Sequence, residues 1–573
     1  MVKTIIFGLD GATWDLAKNW IEEGHLPNLK KIMDGSSGIL KSTLEPITPC
    51  AWASMVTGQN PGKTGVFDFA QIVRGSYDLR FPNRTHVSGS SIWNQADKHG
   101  IKCGIVNVPM GYPADRLEQG VYIAGMGSPS PDDKNVFWPQ DLRHEVESFF
   151  EKPYDMMEFS KGRKSKDGYG VLRDNLISYT DFQKKLSMYL LEKKDLDLFF
   201  IVFPATDQVG HYFWKHWDHK HPLYSDELNK KYGNVLLEVY KSVDDAMGEI
   251  MNSFCSKETQ VWALSDHGMG PFYRAPDFVS FLESEGYLKL KVPVENAEKM
   301  IAVVPFLAKL SELKFKFFDF LKRCMPLSLK NFLNNVFKNQ KEAYVEGMSM
   351  LSIYDWKKTQ VFVTDPKNMG EIHINLKGRE PKGIVLKNDY EKLREELIDL
   401  FESIALKDGT RLVTKAHKKE DIYKGKYLHD APDIVIEWNL KETGCLDPKD
   451  QDVPKRYKSL FRRFDLTPSW TDVVLPYNGF HRMEGIWAVN GPGIKHGSGI
   501  NADIWDPYIE ILSSIGVPIP NDIDSKKMDI WETKSRPKVK EDKDKSGEGS
   551  SKDYSQKDEE ALKKRLKEMG YLG

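Results

Sequence analysis

Three apolar runs of this chain each hand over to an aspartate. Thr4–Leu9 ends in Asp10, Leu196–Phe203 continues through Pro-Ala-Thr to Asp207, and Val261–Ser265 ends in Asp266. Such runs, closed by a polar residue or a glycine, read as strands buried on both faces, as in a parallel sheet. Further runs stand at Cys103–Val108 and Ile486–Asn490, with helical patterns between them at Pro27–Met33, Ser91–Lys98 and Leu237–Met251. Strands alternating with helices predict an α/β fold with helices on both faces of the sheet. In such sheets ligands gather beyond the carboxyl ends of the strands. Three aspartates delivered to that edge can meet although they lie far apart in sequence.

Histidines accompany them. Asp207 and His211 are spaced i,i+4, which puts both on one face of a helical turn. Asp266 and His267 are adjacent and would point apart on a straight strand, but Gly268 and Gly270 allow the backbone to turn. His481, in NGFHRMEG, completes six N/O ligands, enough for two divalent ions that each keep an open position. Singly, each has a plainer reading: Asp10 or Asp207 as a helix cap, His211 as a surface residue, His481 as a loop histidine. The coincidence of all six in this setting favours a metal centre.

Thr48 precedes Pro49 and a helix that ends near Gly58, so it is expected at the N-cap with proline in the first turn. A helix N-terminus also offers unpaired N–H groups to a phosphate, and its dipole favours an alkoxide. A bound cation would lower the hydroxyl pKa further, which makes Thr48 a candidate nucleophile. Asn60 and Lys63 read equally as turn residues or substrate contacts. His216, His219 and His221 read as solvated loop histidines rather than a third metal site. Phe213, Trp214 and Trp217 read as core or pocket wall.

A length of 573 residues predicts one large domain with insertions or two to three domains. The net charge of -2 gives no footprint for nucleic acid. Cys50, Cys103, Cys255, Cys324 and Cys445 are scattered and odd in number, which argues against a disulfide framework or thiolate metal site and for a reducing compartment. The opening residues do not read as a signal peptide, and no stretch approaches the ~20 apolar residues of a membrane span. A cytoplasmic location is therefore expected. Between Tyr354 and Trp438 lies a strand-helix-strand region that packs beside, or extends, the main sheet. Residues 271–350 are helical, apolar and lysine-rich, and read as an inserted cap; Phe306, Leu310, Lys309 and Lys314 are typical of it. Within it, 300–340 is a candidate for weak contact with a membrane surface. Residues 531–573 read as a polar linker and a short amphipathic helix.

The order Asp10, Thr48, Asp207-x-x-x-His211, Asp266-His267, His481 resembles the alkaline phosphatase superfamily, and more narrowly the type I phosphodiesterase/nucleotide pyrophosphatase family. The opening IIFGLDGAT, the run NPGKTGVFDF, the Val56-Thr57-Gly58 helix end and GIWAVNGPGI carry the likeness. The resemblance implies an alkaline-phosphatase-like three-layer sandwich with a central, mostly parallel sheet formed by 1–270 and 351–530, with the helical cap inserted. It implies one ion held by Asp207, His211 and His481, and another by Asp10, Asp266, His267 and the Thr48 oxygen. The ions would be zinc, with manganese as the alternative. It further implies a hydrolase of small phosphorylated substrates acting through a phospho-threonine intermediate. Phosphomonoesterase, phosphonate hydrolase and a non-catalytic relative that binds a phosphate ligand remain the alternatives.

Overall fold

The apolar runs sort into two sheets. The computed structural model describes residues 2–155, 167–272, 276–291, 350–364, 369–440, 452–461, 477–532, 535–537, 541–542 and 553–569. In the larger sheet the opening strand Thr4–Leu9 lies between Gln260–Leu264 and Leu198–Phe203, parallel to both. Beyond Leu198–Phe203 come Cys103–Val106 and Val121–Ile123, also parallel, and then the antiparallel edge strand Phe137–Trp138. On the other side Glu484–Asn490 runs antiparallel to both Gln260–Leu264 and Ser36–Lys41. The sheet is thus mixed but mostly parallel, as the alternating pattern predicts.

The three central strands are buried along their whole length, which requires cover on both faces. Two groups of helices provide it. Thr48–Thr57, Ile92–Lys98 and Pro507–Ser514 pack together; so do Pro27–Met33, Gly168–Lys193, Ala205–Trp217 and Val235–Phe254. Gly8 is needed where the first group meets the sheet: a Cβ there would lie 2.6 Å from the Trp52 ring and 2.7 Å from Val202. The consequence for the site is simple. Strands ending at Leu264, Leu9 and Phe203 are immediate neighbours, so Asp266, Asp10 and Asp207 emerge side by side.

The second sheet is antiparallel, in the order Val361–Phe362, Glu371–Ile374, Ile434–Trp438, Val413–Lys418. With the helices Phe278–Ser284 and Tyr390–Glu402 it encloses an apolar core of its own, including Phe281, Ile372, Leu397, Phe401 and Ile434. One of two alternatives expected from sequence is selected, and one boundary changes. The region from Tyr354 to Trp438 packs beside the main sheet and does not extend it. Residues 278–290, expected in the cap, belong to this second core. Apolar runs announce strands but not which sheet they join, because that depends on partners distant in sequence. The body of the expected cap, 292–349, with the stretch proposed for membrane contact, lies outside the described residues. Among the described residues no helix is long and apolar enough to cross a membrane.

The cores meet through named contacts. Arg74 bonds Glu380 Oε1 and the carbonyls of His429, Asp430 and Ala431. Tyr427 N–H donates to Gly62 O, and Tyr423 Oη to Leu44 O. At the far end of the chain the helix Gln556–Met569 forms as expected and buries Leu562, Leu566 and Met569 against the main core.

Candidate metal centre

The opening strand ends at Leu9, and Asp10 is held at its tip from two sides. Asp10 N–H donates to Phe203 O at 3.1 Å, and Thr206 Oγ donates to Asp10 O at 2.5 Å. Gly11 follows with φ +65°, and its N–H donates to Asp266 Oδ1 at 3.1 Å. A Cβ at Gly11 would lie 3.0 Å from the Cα, Cβ and Oδ1 of Asp207. Both the left-handed backbone and the close approach thus require glycine. Asp207 and His211 share one face of the helix Ala205–Trp217. His481 arrives on a ribbon in which Gly268–Pro271 pairs antiparallel with Gly479–Arg482, with Met269 opposite His481. That ribbon is stitched to the helix: Asn478 N–H donates to His211 O at 2.7 Å, and the Asn478 amide donates to Tyr212 O at 2.8 Å.

All three histidines use Nδ1 in the same way. His211 Nδ1 bonds Gly479 O at 2.8 Å, His481 Nδ1 bonds Pro46 O at 2.8 Å, and His267 Nδ1 bonds Gly268 O at 3.0 Å. A carbonyl only accepts, so each Nδ1 carries the proton and each Nε2 presents a lone pair. These lone pairs face one another and the carboxylates. His211 Nε2 lies 3.1 Å from His481 Nε2 and 3.1 Å from Asp207 Oδ1; His481 Nε2 lies 3.4 Å from Asp207 Oδ1. Donors at about 2.0–2.1 Å from a tetrahedral ion are separated by about 3.3–3.4 Å. Three acceptors at that spacing with no proton between them suit a cation. The second group is looser. His267 Nε2 lies 3.2 Å from Asp266 Oδ2, 3.8 Å from Asp10 Oδ1 and 3.3 Å from Thr48 Oγ1. In each triad the donor atoms all lie within 4.8 Å of one another.

Electrostatics points the same way. Both carboxyl oxygens of Asp10, and Oδ2 of Asp266, are buried without a hydrogen-bond donor. Burial first, then the neighbouring Asp266 and Asp207 carboxylates, pushes Asp10 well above the usual carboxylate range. Burial and the Asp207 carboxylate do the same to Asp266. Asp207 differs: burial pushes it up, but the His211 and His481 imidazoles, once protonated, outweigh this and hold it well below the usual range. Burial lowers His267 and His481 and keeps both rings neutral. An all-N/O set of buried carboxylates and neutral imidazoles fits divalent zinc or manganese.

Thr48 differs from expectation in one respect. It is the first helical residue, not the cap; Ile47 precedes the helix and no side chain caps it. Its buried hydroxyl bonds His267 Nε2 instead. Pro49 has no N–H and Ala51 N–H bonds Ile47 O, which leaves the N–H groups of Thr48 and Cys50 without an acceptor among the described residues.

Other expectations change more. His216 is not solvated: the helix runs past it, and it is buried against Tyr169, Phe213 and Tyr232, its pKa lowered to about 3 by burial and by Lys215. His221 is also buried, with Nε2 at 3.2 Å from Phe272 O and Asn478 O. Only His219 of the three is exposed. Phe213 and Trp214 are core, while Trp217 is partly exposed. Asn60 caps the short helix Pro61–Thr64, and Lys63 pairs with Asp522 and Asp524 at 2.9 Å, so both are structural. Sequence reasoning missed Gly11, and also Gln208, whose Nε2 holds Asp207 Oδ2 at 3.1 Å. The glycine after a strand-end aspartate was a readable signal; Gln208 carried none. Gly11→Ala is expected to cost about 1–2 kcal/mol of backbone strain and to weaken metal uptake by displacing Asp207. A thermal melt alongside a zinc titration checks both.

Buried ligand triads beside a hydroxyl at a helix N-terminus, on the carboxyl edge of a parallel sheet, place the chain among enzymes that act on phosphorus esters. A family model agrees. The type I phosphodiesterase/nucleotide pyrophosphatase model matches residues 4–451, and the chain belongs to that family. It is a hydrolase of phosphoric ester or phosphoanhydride bonds. The match stops short of His481, which only the fold brings to the other ligands. No curated protein matches the chain. Among solved structures, phosphonoacetate hydrolase from Sinorhizobium meliloti 1021 in complex with phosphonoacetate is similar at 12% identity and a TM-score of 0.49, over 90% of this chain and 95% of that one. Murine ectonucleotide pyrophosphatase/phosphodiesterase 5 is similar at 12% identity and 0.42, over 89% and 94%. The human ectonucleotide pyrophosphatase/phosphodiesterase 5 gives 12% and 0.42, over 92% and 97%.

Proposed function

We propose that the chain is a metal-dependent phosphodiesterase or nucleotide pyrophosphatase that works through a phospho-threonine intermediate on Thr48. One observation carries this: the Thr48 hydroxyl lies 3.3 Å from His267 Nε2, at the end of a helix, beside two triads of buried acceptors. Asp207, His211 and His481 would hold one divalent ion, and Asp10, Asp266 and His267 the other. Such ions supply Lewis-acid polarisation of the phosphoryl group and lower the pKa of a nearby hydroxyl. The remaining work falls to the protein. Thr48 Oγ loses its proton to solvent and forms a bond to phosphorus as the bond to the leaving oxygen breaks, and that oxygen takes up a proton from solvent; water then cleaves the P–Oγ bond, its oxygen going to phosphorus and a proton restoring the hydroxyl. The N–H groups of Thr48 and Cys50 are available to a non-bridging phosphoryl oxygen. Nδ1 bonds to three carbonyls hold the imidazoles in one tautomer and orientation.

The substrate is read as a small phosphodiester or phosphoanhydride. The test is the metal-loaded protein assayed on bis-p-nitrophenyl phosphate, p-nitrophenyl phosphate and a nucleotide sugar. Diester and anhydride cleavage above monoester cleavage is the expected result; the reverse order would make it a phosphomonoesterase. Chelation is expected to abolish turnover, and zinc or manganese to restore it. Full activity after exhaustive chelation, with metal absence checked by elemental analysis, would overturn the metal-dependent reading.

A further inference from the structure

The helix Gln556–Met569 reaches back to the metal centre from beyond the residues the family model matches. Its last residue, Met569, offers a backbone carbonyl that has no intrahelical partner. Two tyrosine hydroxyls take it: Tyr212 Oη at 3.0 Å and Tyr477 Oη at 2.7 Å. These tyrosines belong to the two elements that bear the Asp207, His211 and His481 triad. Tyr212 follows His211 on the helix Ala205–Trp217. Tyr477 lies on the segment that leads to His481, and its ring stacks on the His211 imidazole, with centroids 4.0 Å apart and planes 8° from parallel. One carbonyl therefore bridges the two halves of one ligand set, and through Tyr477 it supports the flat face of His211. Among the described residues the Asp10, Asp266 and His267 triad has no such contact with this helix.

The helix is seated for this purpose. Leu562, Leu566 and Met569 form its buried stripe. Arg565 donates to Ser128 O at 2.7 Å, Tyr554 Oη to Gly127 O at 2.7 Å, and Asp553 meets His86 Nε2 at 2.9 Å. The Tyr554 ring stacks on Tyr112.

We propose that the carboxyl-terminal helix is a clasp for one metal site: by accepting from Tyr212 and Tyr477 it positions His211 against His481, and its release selectively weakens the ion held by Asp207, His211 and His481. Tyr477 is a positioning residue that touches neither substrate nor ion. The proposal rests on the two-ion reading above. Partners that orient a ligating histidine typically change metal affinity 10–100-fold.

The experiment is a zinc competition titration of the full chain, of Tyr212→Phe/Tyr477→Phe, and of a chain ending at Lys552. The double variant keeps the rings and their stacking but frees the Met569 carbonyl. The full chain is expected to bind two zinc ions. Both altered proteins should keep one ion at wild-type affinity and bind the other about 10- to 100-fold more weakly. The retained ion is the internal control for folding. Two ions held at wild-type affinity by the double variant would overturn the clasp, as would equal weakening of both. A wild-type chain that fails to take up two ions would instead sink the metal reading itself.

Discussion

Thr48→Ala eliminates turnover, with kcat lower by on the order of 10⁴-fold or more, while the fold and the metal content survive. The reason lies in what Thr48 does not do. As the first helical residue it caps nothing, so the ~1 kcal/mol penalty for losing a cap does not apply. Among the described residues its hydroxyl bonds only His267 Nε2, and six other candidate ligands remain. Thr48→Ser should retain part of the activity, since it keeps the oxygen. Measuring kcat, bound metal and the melting curve on one preparation separates the possibilities. Trapping of phospho-threonine by acid quench of the wild-type enzyme is the positive counterpart. An alanine variant with near wild-type kcat would show that water attacks directly.

Acidification is expected to strip the two ions in a fixed order, the ion of Asp10, Asp266 and His267 leaving first. Metal binding needs ionised carboxylates and neutral imidazoles. Asp10 and Asp266 are raised, by burial first and then by neighbouring carboxylates, so protons compete at that site above the ordinary carboxylate value of 3.8. Each proton taken up weakens the ion about tenfold per pH unit. Asp207 is held in the opposite direction by His211 and His481, so its proton competes less. His267 and His481 are lowered from 6.5 by burial, so they do not move the loss toward neutrality. An ion at a thousand times its Kd stabilises the fold by about 4 kcal/mol. Melting temperature should therefore fall in two steps on acidification, and zinc binding in mild acid should release more protons at the Asp10, Asp266 and His267 site than at the other. Calorimetry in buffers of different ionisation enthalpy measures that release. Equal proton release at both sites would contradict the assignment of the shifts.

Much of this site was legible beforehand. Asp10 and Asp266 close apolar runs, and Asp207 with His211 has helical spacing; these are local patterns, and burial of the strands forces them. The candidate nucleophile Thr48 stood out from Thr-Pro and the helix that follows. Where reading failed, the deciding partner was remote. His216 looked solvated in WKHWDHKHP, but the helix continues and turns it toward Tyr169 and Tyr232. Residues 278–290 looked like the start of an insertion, yet their apolar face belongs to a core built from 351–461.

The sequence by itself determined the strand-end aspartates, the donor types and hence the class of chemistry, because these follow from local periodicity and side-chain identity. Only the tertiary structure decided that Glu484–Asn490 runs antiparallel beside Gln260–Leu264, and that the ribbon through Gly479–Arg482 sets His481 against His211. The separation between the ligands, the single tautomer shared by three histidines and the tyrosine bridge to Met569 arise in the same way. Gly479 O reaches His211, Pro46 O reaches His481 and Met569 O reaches Tyr212 from segments hundreds of residues away, and a carbonyl is the same group in every residue, so no residue type announces it.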